Sequence, residues 1–149
     1  MREIVFRGKK VNDGMWIQGY LFQCWGRAYI LWGMTNDTPT MHDVKPETVG
    51  QFTGLVDKNG KMIFEGDIVR FIWWWFDGAE RESELTGTIV YSSDNMSFQL
   101  KGVKNKEWRD FVGADEHDMD YLTPFSELNF CDADFEIIGN IHDNPELLT

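Results

Sequence analysis

The sequence predicts an all-β, β-dominated fold in two parts, an N-terminal β-module over residues 1–54 and a second part over residues 55–149. Three observations predict it. The hydrophobic period stays close to two almost everywhere, Gly- and Asn-bearing turns cut the chain into many short apolar runs, and no long amphipathic helical stretch interrupts them. The densest case is Gln51–Val69, QFTGLVDKNGKMIFEGDIV, which reads as strand, turn, strand, turn, strand.

The elements follow in order. Glu3–Arg7 opens as a strand, Asn12-Asp13-Gly14 turns, and Met15–Phe22 is a second strand. Trp25-Gly26-Arg27 turns into a third, Ala28–Trp32. Gly33–Pro46 is polar and holds Pro39 and Pro46, so it reads as a loop. In the meander, Asn59 and Gly60 tolerate the positive φ of a tight hairpin turn, and Gly66-Asp67 reverses the chain again before Ile68–Ile72. Gly87–Tyr91 and Met96–Leu100 form a further hairpin around Ser92–Asn95. Phe135–Ile141 is the last strand, with Gly139 as a turn or bulge position. Asn144 and Pro145 then start one short helical turn, Asn as cap and Pro at the first helical position. Pro124–Leu128 is the only other helix candidate.

A small barrel of the SH3-like type needs about five short, bent strands closed by tight turns. Ile68–Trp73, Gly87–Tyr91, Met96–Lys101 and Phe135–Ile141 supply four, and Lys61–Phe64 or Trp108–Val112 the fifth. With 149 residues, 42% of them hydrophobic, the chain buries enough surface to fold without staples. Cys24 and Cys131 stand far apart with no CxxC spacing, which favours buried thiols over a disulfide or a zinc site. No apolar run reaches the length of a signal peptide or a membrane span, so the expected compartment is the cytoplasm.

The net charge of −11 is uneven. Residues 1–72 carry nine Lys/Arg against eight Asp/Glu, whereas residues 73–149 carry five against seventeen, concentrated in Asp77–Glu84 and Asp110–Asp120. Such a half repels nucleic acid and reads as solvated acidic loops, or as a surface for a basic host or phage protein.

The phrases IVFRGKKVNDGMWIQGYL, KPETVGQFTGLVDKNGKMIFEGDIV and FEIIGNIHDNPELL together resemble the YopX family of phage and prophage proteins from Gram-positive bacteria. Gly33–Val44, Trp74–Glu84 and Asp110–Asp120 lie outside those phrases. The resemblance implies a β-rich phage accessory protein with an SH3-type C-terminal part. It brings no enzymatic activity, cofactor or catalytic residue with it.

Three candidate sites stand out. Trp73-Trp74-Trp75-Phe76 places two aromatic residues on each face of a strand, and both faces cannot easily meet water. A core or subunit-covered role is favoured over base stacking, because acidic residues flank the run. Asp115–Asp120 offers oxygen and nitrogen ligands but lacks the glycine and spacing of a calcium loop. His42 and His142 are isolated, and no GxSxG, HExxH or phosphate-cradling loop occurs. The expectation is therefore a non-enzymatic binding protein without cofactor or metal, self-associating as a homo-oligomer. The rivals are a single-stranded nucleic-acid-binding small barrel and a metal-dependent hydrolase built on the acidic cluster.

Overall fold

The computed structural model describes residues 1–94, 96–101, 122–124 and 135–148; the side chains of residues 73–75, 83 and 122–124 lie outside the described set. Among the described residues there is no α-helix, and the strands form antiparallel sheets. The chain divides into two compact units, Met1–Leu55 and Val56–Thr149.

In the first unit, β1 (Phe6–Lys9), β2 (Trp16–Cys24), β3 (Arg27–Thr35), β4 (Thr38–Val44) and β5 (Gly50–Val56) run in the order β4-β3-β2-β1-β5. Two-residue turns join β2 to β3 and β3 to β4. Trp25-Gly26 and Asn36-Asp37 all hold positive φ, the geometry whose twist matches that of the flanking strands. The sheet then curls until its β4 edge reaches β1. Val11 N–H donates to the Asp43 carbonyl and Lys45 N–H to that of Lys9, both at 2.9 Å, so the end of β4 lies against the end of β1. The short 3-10 turn at Pro46–Thr48 fixes this join, because the Thr48 hydroxyl accepts from Lys9 N–H at 2.9 Å and donates to the Lys45 carbonyl at 2.7 Å. Curling leaves little room inside. Ala28, Ile30 and Val44 are fully buried there, with Phe6, Ile17, Leu21 and Val49 packed around them.

The expected loop Gly33–Pro46 is therefore corrected to the end of β3, a two-residue turn and all of β4. Pro39 sits on an edge strand, where a missing N–H costs no ladder bond. A register shift between Leu31 and Met34 absorbs Gly33.

In the second unit β6 (Met62–Phe64) precedes a sheet of β7 (Asp67–Phe76), β8 (Glu80–Ser92), β9 (Ser97–Lys101), β10 (Leu122–Pro124) and β11 (Glu136–Asn140), in the order β10-β9-β8-β7-β11. Ile63, Val69, Phe71, Leu85, Ile89, Leu100 and Phe135 form its core, with Phe71 and Phe135 ring centroids 4.9 Å apart. The order is open, with β10 and β11 at its edges, in place of the closed SH3-like barrel that the sequence suggests.

Asp77–Glu84 is also corrected. Only Asp77-Gly78-Ala79 forms the turn, and Glu80–Glu84 continues β8, paired along β7. Glu80, Glu82 and Glu84 are all exposed, so water and salt screen the repulsion among them. Leu122–Pro124 is a strand where Pro124–Leu128 suggested a helix. The remainder of that segment, Trp108–Val112, Asp110–Asp120 and Cys131 lie outside the described residues.

Candidate functional site

The turn residues singled out by sequence converge on structural tasks. Asp57 is buried, and its Oδ1 accepts from Asn59 N–H at 2.8 Å and Lys61 N–H at 2.9 Å while Oδ2 accepts from Ile137 N–H at 3.1 Å. Burial pushes this carboxyl up, but the three backbone donors outweigh it and hold the group below the ordinary aspartate range. Gly60 and Gly66 hold φ of +78° and +88°, which side chains rarely adopt. Gly66 N–H donates to the Ile89 carbonyl and its own carbonyl accepts from Ile141 N–H, so one turn ties β8 to the end of β11. Asp67 is buried, and its Oδ2 accepts from Phe64 N–H at 2.8 Å.

At this same end of β11, a Cβ on Gly139 would fall 2.6 Å from Oδ1 of Asn144, which itself accepts from Asn140 N–H. Pro145 opens the 3-10 turn Pro145–Leu148 as expected. Glu136 Oε2 meets Arg70 at 2.6 Å and Lys58 at 3.2 Å. The hydrogen bond from Arg70, then that from Lys58, holds the Glu136 carboxyl below its ordinary value.

The Trp73–Phe76 run forms the end of β7, its backbone paired with Ser83, Glu82, Arg81 and Glu80 in turn. Phe76 is exposed; the side chains of Trp73, Trp74 and Trp75 lie outside the described residues. His42 stands opposite Ile30 in the first unit, and His142 N–H donates to Asn140 Oδ1 in the second. Among the described residues no group of three His, Cys, Asp or Glu could hold a metal ion.

Sequence reasoning missed the outer face of the first unit. Directly opposed residues of antiparallel strands share a face, so the pairs Tyr20↔Leu31↔Met41 and Phe22↔Tyr29 put these side chains on one side of the sheet, opposite the buried Ile30 and Ala28. Tyr20, Trp32 and Met34 are 60–66% exposed. Together with Leu31, Gly33 and Pro39 they line an open hollow of about 270 Å³. At one end Arg27 stacks on the Tyr29 ring and pairs with Asp43; elsewhere on this face Arg7 lies 4.7 Å from the Trp16 ring centroid. The signal was present. Trp16, Tyr20 and Phe22 recur at even spacing while Ile17 and Leu21 fill the other side, so neither face of β2 was polar.

A family model described as YopX protein matches residues 5–149. The crystal structure of protein EF1440 from Enterococcus faecalis is similar over 100% of both chains, with a TM-score of 0.50 and 23% sequence identity, a likeness of fold. No curated protein matches the chain.

Proposed function

We propose a function from one premise: the chain belongs to the YopX family, whose model spans nearly its whole length. It acts by binding, as an accessory protein of a phage or prophage in the cytoplasm of its bacterial host, and not by catalysis. The observation that carries this reading is the exposed aromatic and methionine face of the first unit, since a contiguous apolar patch of this kind marks a contact surface. The carboxylates agree with it. Asp57 and Asp67 accept from backbone N–H groups and Glu136 from two cations, so they hold turns and strands in place and are poorly disposed to exchange protons with a substrate.

Self-association belongs to this reading, and Trp73–Phe76 offers a separate interaction surface on the second unit. So does docking of a basic host or phage protein on the second unit, where residues 56–149 carry eight Lys/Arg against twenty Asp/Glu. The second unit itself is an opened relative of the SH3-like small barrel, keeping the hairpins and the Gly66-Asp67 lead into β7.

The test is affinity capture with the tagged full chain from host cells during phage induction, comparing wild type with Trp32→Ala and Tyr20→Ala. Both side chains are exposed, so the fold should tolerate their loss. A specific partner should be recovered by wild type and depleted several-fold by either substitution. Equal recovery by all three proteins would count against this face.

A further inference from the structure

We infer that the aromatic face of the first unit is where two copies of this chain meet, face to face about a two-fold axis. The inference rests on the binding reading and names one occupant for its surface. Area and charge together select it. Tyr20, Phe22, Trp32, Met34 and Met41 are 48–66% exposed. Each large apolar side chain offers on the order of 200 Å², so the patch presents roughly 500–600 Å² per copy. A symmetric pair then removes about 1,000–1,200 Å² from water, at the lower limit for a specific interface.

Charge decides between occupants. The whole chain carries −11, and two copies repel wherever their acidic parts approach. Residues 1–55 carry six Lys/Arg against five Asp/Glu, so the first unit is the near-neutral surface through which like-charged copies can touch. A two-fold interface must also be self-complementary, because each residue meets its counterpart's neighbours. Arg27 and Asp43, an opposite-signed exposed pair at the end of the patch, satisfy that requirement: either can face the other across the axis. A polyanion such as single-stranded nucleic acid would gain from Arg27 only by displacing Asp43, and the acidic second unit disfavours its approach.

Sedimentation of the full chain at micromolar concentration tests it. Wild type should sediment at twice the 17.4 kDa of one chain. Tyr20→Asp combined with Met34→Asp should halve that mass, while Phe76→Asp, on the second unit, should leave it unchanged. Should the double variant lose its sheet-like circular dichroism, Met41→Glu alone repeats the test at another exposed position. A monomeric wild type overturns the inference, as does a dimer that survives the first-unit substitutions or one that Phe76→Asp dissolves. The binding reading fails separately. A monomer whose captured partner is still lost on Trp32→Ala ends self-association and leaves that reading standing.

Discussion

Asp57 joins a turn to a strand eighty residues further along the chain. Its two oxygens accept from Asn59, Lys61 and Ile137, and the next residue adds Lys58 N–H to the Phe135 carbonyl. Hydrogen bonds to a buried charge are worth more than neutral ones, so Asp57→Ala should lower unfolding free energy by on the order of 3 kcal/mol, read from urea denaturation. Asp57→Asn keeps the shape but puts an NH₂ group where an acceptor stood, and should lose a similar amount. Acid separates charge from shape. The folded carboxyl is held below the ordinary 3.8, so its stabilisation is complete above that value and is lost as pH falls through the folded value. Wild type and Asp57→Asn should therefore converge in stability below about pH 4. Parallel curves down to pH 2 would mean the charge contributes nothing.

The strand β11 shows how close contact defines an element's end. Gly139 lies at a register shift against β7, and any Cβ there would strike Asn144 Oδ1 at 2.6 Å. Gly139→Ala should cost about 1–3 kcal/mol by overpacking and should speed amide exchange at Asn140 and Ile141. Adding Asn144→Ala removes the two closest contacts, Oδ1 and Cγ, but leaves the Cβ at 2.9 Å and takes away the acceptor of Asn140 N–H, so the double variant should lose less in melting temperature than the sum of the two single losses. Full additivity would place the two residues apart. Strands were legible where alternation and turn chemistry agreed, as in β2, β3 and the run β5-β6-β7. They were illegible where composition spoke for loops. Pro39 and the polar Thr38–Asp43 concealed β4, whose ladder comes from its neighbour β3; the acids of Glu80–Glu84 concealed half of β8, which the long β7 holds in register. The aromatic face was missed for a different reason. Recognising it requires knowing which side of β2 the curl of the sheet turns inward, and that depends on β4 meeting β1.

At the scale of the whole molecule, net charge is segregated between the two units, and this gives the proposed self-association a definite response to salt. The second unit holds all of the excess acid, eight Lys/Arg against twenty Asp/Glu, while the proposed contact lies in a unit of six against five. Bringing two copies together therefore gains apolar burial at the first units and pays a repulsion between the second ones, which acts over distances that salt screens within about 10 Å at 0.1 M. Apolar burial is not weakened by screening and is strengthened by excluded salts. Raising sodium chloride from low to moderate concentration should thus tighten the dimer, with the largest gain where the Debye length first falls below the separation of the acidic surfaces. An interface built instead from a basic patch on an acidic one would loosen over the same range. Sedimentation equilibrium of the full chain across a salt series distinguishes the two: a dissociation constant that falls with salt supports an apolar contact between near-neutral faces, and one that rises assigns the contact to opposite charges.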